Sequence, residues 1–554
     1  MEASPVHIIQ YFNGTKQGVI PLFQRPYSWD QKDWETLWTD LMAQYEEEDR
    51  GSHFMGAVVS VPVNSVPVGV TKHLVIDGQQ RLTTLALLLS AIREACLETG
   101  DVVTGGIIED FLTNRHYPSP DDLKIVPTQI DREAFNALVY RKDTASYEES
   151  RILQAYRFFL KKLAGKDDDD QPISPQQVLQ AIQQSLQVVM INLGVSDDPY
   201  LIFESLNHKG KPLTQSDLVR NYVLMRFQHS TSAGGEQEVV YEELWRPMED
   251  ALKENMSEFL RHYGMRNGTN VRKGDIYTAS KKEFEKFQDA GEVRTQLEEM
   301  KTAALNYAKF MKPDLEGNKR VSQRLNALQE LDSTVFYPLL LRLYRHWQLE
   351  NILNDGLVDC LDALESFYVR RMACGVPTNA LNKIALEICL HLPEMPTSAW
   401  VREKLAQGSG GRRWPQDEEF QESLVNQAIY TRSRFARYML IALEESYEHK
   451  EPIETTTASI EHIMPRTLNE QWKKDLGASH PLIHERWLDT LGNLTLTGYN
   501  SELGNDSFSV KKGKLANTHF EMTKPILQKE SWGVEEIKER AASLAMRAAE
   551  KWTR

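Results

Sequence analysis

The first third of the chain switches between two hydrophobic periods. His53 to Val63 is rich in valine and reads as a strand, and His73 to Ile76 reads as another that ends at Asp77-Gly78. Elsewhere the period lengthens. Trp34, Leu37, Trp38 and Leu41 recur at three and four, as one helix face does, and Leu82 to Leu97 is strongly apolar with the same period. Gly18 to Leu22 is a short apolar run ahead of Pro26. This pattern predicts a small α/β unit with polar residues in its turns. Lys166 to Asp170 reads as a charged linker. From Ser174 to about Arg226 the pattern is mixed. From Glu236 to about Glu448 it is mostly helical, with Leu339 to Trp347 and Leu357 to Tyr368 as good examples. Breaks fall at Ser230 to Gly235, Lys312 to Asn318 and Gly408 to Gly411. The last segment opens with Thr455-Thr456-Thr457. It predicts a strand ending near Ile460, halted by Pro465, a second strand over Leu491 to Thr497, a short helix after Asn500 and a closing helix from about Val534. The expectation is a multidomain α+β protein divided as 1–228, 229–450 and 451–554.

Composition narrows the class. With 554 residues, 41% hydrophobic and 26% charged, the chain can build roughly two to four domains with real cores and is not a disordered polymer. It has no apolar run of about 18 residues, so no membrane span is expected. Met1-Glu2-Ala3-Ser4-Pro5 lacks the basic start and apolar core of a signal peptide. Cys96, Cys360, Cys374 and Cys389 lack paired metal spacing and read as reduced, mostly buried thiols of a cytoplasmic protein. A net charge of −15 argues against a protein that coats nucleic acid non-specifically. Local basic groups remain at Arg370-Arg371, Arg412-Arg413, Arg432 to Arg437 and Lys511-Lys512 with Lys514; each reads first as a solvated face.

Two constellations carry chemistry. Ser459-Ile460-Glu461-His462-Ile463-Met464-Pro465, then Leu491-Gly492-Asn493-Leu494-Thr495-Leu496 and Asn500, place an imidazole, a carboxylate and two carboxamides on a strand–loop–strand–helix unit. Phosphodiester hydrolysis needs an activated water and compensation of growing negative charge. A neutral His462 takes a proton near neutral pH. One Mg²⁺ or Mn²⁺ held by Glu461 and Asn500 offsets leaving-group charge. Asn493 fixes the loop, and Lys511 or Lys512 is a candidate phosphate contact. His480 and His484 read as surface residues. Near the N-terminus, Val75-Ile76-Asp77-Gly78-Gln79-Gln80-Arg81 is a strand, a glycine turn and a helix start, where free N–H groups and the helix dipole favour an anion. Arg81 adds a fork suited to phosphate, and Gln79 and Gln80 both donate and accept. Phe23-Gln24-Arg25-Pro26-Tyr27-Ser28-Trp29, and Phe203-Glu204-Ser205-Leu206-Asn207 with Gly210, Leu213 and Asp217-Leu218, add an arginine among aromatics and an amide and carboxylate around a glycine loop.

These motifs resemble, in order, those of the GmrSD-type restriction enzymes. Glu-His-Ile-x-Pro, Gly-Asn-Leu-Thr-Leu and Asn look like the HNH branch of the His-Me-finger nucleases. The resemblance implies His462 as general base, Glu461 and Asn500 as metal ligands, and Asn493 as a structural member of the catalytic motif. Phe-x-Arg-Pro-Tyr-x-Trp, Asp-Gly-Gln-Gln-Arg and Phe-Glu-x-Leu-Asn-x-x-Gly-x-x-Leu imply a ParB/sulfiredoxin-like N-terminal domain that binds or hydrolyses a nucleoside triphosphate through Asp77, Gly78, Gln79, Gln80 and Arg81, with Arg25. Glu365 to Arg371, with Cys374-Gly375 and Pro377-Thr378-Asn379, resembles the segment joining the two domains, where Arg370 and Arg371 are either buried braces of the domain interface or DNA contacts. The implied function is a nucleotide-dependent, type IV restriction endonuclease acting on phage DNA with hydroxymethylated or glucosylated cytosine. A homodimer would suit a site that cuts one strand at a time. The competing readings are a nucleotide-binding regulator that keeps the nuclease fold as a scaffold, and a nuclease triggered by phosphorothioate DNA or directed at RNA.

Overall fold

Alternation along the valine-rich strand shapes the first unit. Val58 and Val75 join the large core on one face of a sheet, while Val59 and Ile76 turn to the opposite face with Leu193. In the computed structural model, which describes residues 2–21, 24–46, 52–64, 69–119, 121–193, 214–227, 235–447, 449, 453–455, 457–498 and 500–554, the sheet has six strands. They are β1 (Glu2–His7), β2 (Lys16–Val19), β3 (His53–Asn64), β4 (Thr71–Asp77), β5 (Ile125–Val126) and β6 (Leu186–Asn192), in the order β1-β6-β3-β4-β2-β5. The sheet is mixed: β3 runs parallel to β6 and antiparallel to β4, and β2 runs parallel to both β4 and β5. Helix Gln79–Glu98 is buried along most of its length, which explains its near-continuous apolar sequence; it packs against helices Val102–Leu112, Arg151–Leu163 and Pro175–Ser185.

The strands at His53–Asn64 and Thr71–Asp77 and the helix that follows realise the two periods seen in the sequence. β1 and β6 were not anticipated, because each acquires strand character by pairing with the other in an antiparallel register from Glu2↔Asn192 to His7↔Gln187. Lys166 to Asp170 is a tight turn rather than a linker. Lys166 pairs with Asp170 at 2.7 Å and bridges to Pro172. The Phe203 to Leu213 part of the third N-terminal motif, and Phe23 of the first, lie outside the described residues.

The chain divides into two units, Met1–Arg246 with Phe284–Arg294, and Pro247–Glu283 with Thr295–Arg554. In the second, helices such as Tyr337–Gln348, Asn354–Ala373 and Ser433–Glu445 precede a two-stranded antiparallel sheet. This sheet pairs β7 (Ser459–His462) with β8 (Leu494–Thr497). Its core gathers Ile463, Met464, Trp472, Leu503, Phe508 and Trp532, with the Phe508 and Trp532 rings stacked at 5.5 Å. Arg370 and Arg371 are buried, which excludes them as a solvated face. Arg370 donates to Trp552 O (2.7 Å) and Pro415 O (3.1 Å); Arg371 donates to Arg413 O, Pro377 O and Gly411 O. Cys96, Cys360 and Cys389 are buried free thiols. No helix among the described residues is long and apolar enough to cross a membrane.

Helix Val534–Lys551 closes over the turn Leu491–Asn493 that leads into β8. Gly492 allows this approach: a β-carbon there would overlap the Ile537 carbonyl of the closing helix. Gly492→Ala is therefore expected to destabilise the second unit by about 1–3 kcal/mol through overpacking. Chemical denaturation measures this, and an unchanged midpoint would refute the close-packing argument.

Candidate active site

β7 and β8 pair Glu461 with Thr495 and His462 with Leu494. This register sets the acidic residue and the imidazole at the end of the hairpin. The chain leaving β7 is fastened by Asn493. Its Oδ1 accepts from Met464 N (2.8 Å) and Trp532 Nε1 (3.1 Å), and its Nδ2 donates to Met464 O (3.0 Å) and Leu488 O (2.8 Å). Every hydrogen-bonding position of this fully buried carboxamide is thus used on the fold. Arg540, buried on the closing helix, donates to Leu491 O, Gly492 O and Leu494 O and holds the same turn from below; burial pushes its guanidinium down to about 10.

A cavity of about 450 Å³ opens beside the hairpin, lined by Tyr430, Ile460, Glu461, His462, Pro465, Arg466, Thr467, Gly504 and Asn505. His462 Nε2 lies 3.0 Å from Asp489 Oδ1. If the Asp489 carboxylate accepts a proton-bearing Nε2, the ring's lone pair is on Nδ1. Burial pushes the His462 imidazole below its ordinary value; Asp489 pulls it back up, and Arg466 and Lys511 push it further down. The Tyr430 ring packs edge-on against the imidazole at 4.7 Å, and the Arg466 guanidinium lies over the Tyr430 ring, 4.8 Å from its centroid.

Lys511 is not at the surface. It is buried beneath the hairpin, where Nζ contacts Glu461 Oε1 and donates to His462 O (2.8 Å). Burial raises the Glu461 carboxyl and lowers the Lys511 ammonium, and their pairing pulls each back. Lys512 is bonded to Lys529 O (2.8 Å). Asn500 is the first residue of the short helix Asn500–Leu503 that follows β8; its side chain lies outside the described residues. No cluster of three His, Cys, Asp or Glu forms among the described residues. Glu461 Oε1 is taken by Lys511, so a hard cation here would draw on the other Glu461 oxygen, on Asn500 and otherwise on water and phosphate oxygens. Such sparse protein ligation fits Mg²⁺, which keeps much of its hydration.

At the other constellation, Gly78 turns β4 into the helix with φ of +91°. A β-carbon there would lie 2.9 Å from Val58 Cγ2 and 3.1 Å from Ala57 O, so the turn sits directly on β3. Arg81 donates to Met55 O (2.9 Å) and reaches back to Asp77 (3.4 Å). Gln80 is buried and spent on the preceding loop, accepting from Ser28 N (2.8 Å) and donating to Pro26 O (3.3 Å). Gln79 is also buried. The Arg25 guanidinium is lowered by burial and raised by Asp217, Asp33 and Asp77, so residues of all three N-terminal motifs lie within electrostatic reach of one another. Asp217 caps its helix with Thr214 and pairs with Arg220 at 2.9 Å. Arg25, Asp77 and Arg81 are half-buried, whereas Gln79 and Gln80 are buried. Trp34 is core, its Nε1 donating to Tyr27 OH.

Residues 8–224 match the family model described as GmrSD restriction endonuclease, N-terminal domain, and residues 414–547 match GmrSD restriction endonucleases, C-terminal domain. The chain belongs to the GmrSD restriction endonuclease family. No curated protein matches it. The C-terminal match begins well before β7, and the packing of this GmrSD member shows why. Ala428 bridges to Thr490, Tyr430 N donates to Asp489 O, and the buried Glu444 accepts from Glu521 N and Met522 N. Periodicity alone had grouped these residues with the helical segment.

Three residues of the site escaped the sequence reading. Asp489 and Tyr430 reach His462 only through the fold, whereas Arg466 follows it in the same loop; a lone Asp, Tyr or Arg carries no local signal. His484, read as a surface residue, bonds Pro465 O (2.9 Å) and steadies the loop after His462. Because Asp489 raises the His462 imidazole, Asp489→Asn should lower its pKa further. NMR titration of the ring checks this, and a rise would contradict the assigned pairing.

Proposed function

We propose that this GmrSD-family protein is a divalent-metal endonuclease that cleaves foreign DNA carrying modified bases, under the control of a nucleotide bound at the Arg25–Asp77–Arg81 edge. The observation that carries the reading is His462: an imidazole kept neutral by burial, oriented by Asp489, at the wall of a cavity of about 450 Å³. A neutral ring is the form that takes a proton.

In the proposed reaction a water oxygen bonds to phosphorus, one ester P–O bond breaks, and the water proton passes to His462 Nδ1. Asp489 then faces an imidazolium and stabilises it. Tyr430 packs on the ring and limits its rotation. Arg466, at the rim, replaces Lys511 and Lys512 as the phosphate-facing cation, since those lysines are held by Glu461, His462 O and Lys529 O. Mg²⁺ or Mn²⁺, held by Glu461 and Asn500, would supply charge compensation at the scissile phosphate and leaving oxygen. Lys511 keeps the Glu461 carboxylate charged and positioned within the hairpin. At the N-terminal turn, Arg25 and Arg81 suit triphosphate oxygens. Specificity for modified cytosine and a coupling between nucleotide and cleavage rest on the family resemblance. A cytoplasmic protein acting as a homodimer suits double-strand cleavage of phage DNA.

The deciding experiment incubates wild-type and His462→Ala protein with Mg²⁺ or Mn²⁺, with and without triphosphates, on matched plain and cytosine-modified phage DNA. Cutting of modified DNA by wild type alone is the expected result. A His462→Ala protein that cuts at the wild-type rate would overturn the site. Arg25→Ala is expected to weaken triphosphate binding at least ~10-fold, the effect of losing one charge-assisted hydrogen bond. Calorimetry reads this, and unchanged affinity would remove Arg25 from the nucleotide site.

A further inference from the structure

A second cavity, of about 310 Å³, lies among the helices of the second unit, far along the chain from the hairpin residues. Its size is at the lower end of small-molecule pockets, roughly 300–1,000 Å³. Leu341, Leu349 and Ala303 supply apolar wall, and Arg266, Arg342 and Arg345 approach from the polar side. Two of these cations are already matched. Arg266 stacks on Tyr263 at 3.6 Å and pairs with Glu283 at 2.9 Å; Arg345 pairs with Glu299 at 2.8 Å.

Arg342 is different. Its Nη1 makes long contacts to neutral acceptors only, Asn267 Oδ1 at 3.3 Å and Arg266 O at 3.5 Å, and it has no ion pair among the described residues. Burial lowers its guanidinium, and Arg266 and Arg345 lower it further. The nearby Cys389 thiol is pushed up to about 12 by burial, so it supplies no negative charge at neutral pH. Asn306 and Gln348, also in the wall, are occupied with each other (3.0 and 3.2 Å). Arg342 is half-buried at the cavity wall and the Glu299 carboxylate in the same wall is already paired with Arg345, so an anion seated there would gain a charge-assisted bond from a cation that has no ion pair among the described residues.

We propose that this cavity is a binding site for a compact organic anion, with a carboxylate or phosphate head on Arg342 and an apolar body against Leu341 and Leu349. The site is separate from the nuclease reading and stands without it. Such a ligand would bind within the helical part of the same unit as the β7–β8 hairpin, and would stabilise that unit by mass action.

The test is calorimetric titration of the full chain with octanoate, octyl phosphate and the uncharged octanamide. Octanoate or octyl phosphate should saturate one site, and the preference between them identifies the head group. Octanamide should bind at least ~10-fold more weakly, as expected for loss of a charge-assisted hydrogen bond. Arg342→Gln should weaken the anions by a similar factor. Ala303→Phe fills the cavity from a half-buried wall position. It should abolish binding with the thermal transition unchanged, which keeps the test valid if Arg342→Gln fails to fold. Equal binding of octanoate and octanamide, anion affinity unaffected by either substitution, or no saturable binding of either anion would overturn the proposal.

Discussion

The carboxamide of Asn493 is the constraint on which the hairpin site depends. It is fully buried, and its donors and acceptors are all matched, two by Met464 and one each by Leu488 and Trp532. In a dry interior an unmatched polar group costs about 1–3 kcal/mol. The loop after β7 therefore has little freedom to leave β8, and the end of β7 that carries His462 is held with it. In the proposed reaction Asn493 would act by positioning this loop.

The same rule governs the buried arginines. Arg540 gathers the carbonyls of the turn into β8, while Arg370 ties Trp552 O and Pro415 O to helix Asn354–Ala373, and Ser366 also donates to Trp552 O. Guanidinium suits this task because it offers five donors in a planar fork and remains protonated even when burial lowers it to about 10, as in Arg371 and Arg540. The Trp552 carbonyl, held by Ser366 and Arg370, joins helix Asn354–Ala373 to the C-terminal segment. The two segments fall into one unit although their hydrophobic periods differ.

Burial also divides the labour among residues that look alike in sequence. Gln80 and Gln24 brace the loop around Pro26, Gln24 by donating to Ile76 O, while Arg25, next to Gln24 in the chain, stays half-buried. Lys511 is sunk under Glu461, while Arg466 lines the cavity rim. A motif states which side chains are near a turn, but solvent exposure decides which of them are free for a ligand.

The sequence by itself determined the elements whose signal is local: β3, β4 and the helix from Gln79, the hairpin halves around Glu461-His462 and Leu494–Thr497, and the order of the two constellations. In each case a period of two or three to four residues, or a turn residue such as Gly78, carries the information within a few positions. The tertiary structure alone decided the rest. It made strands of Glu2–His7 and Leu186–Asn192 by pairing them. It brought Asp489 to His462 across 27 positions and Lys511 to Glu461 across 50. It also decided between the roles the sequence left open for Arg370 and Arg371, by burying both. Those outcomes rest on desolvation and on contacts between distant segments, and neither has a period that a linear reading can detect.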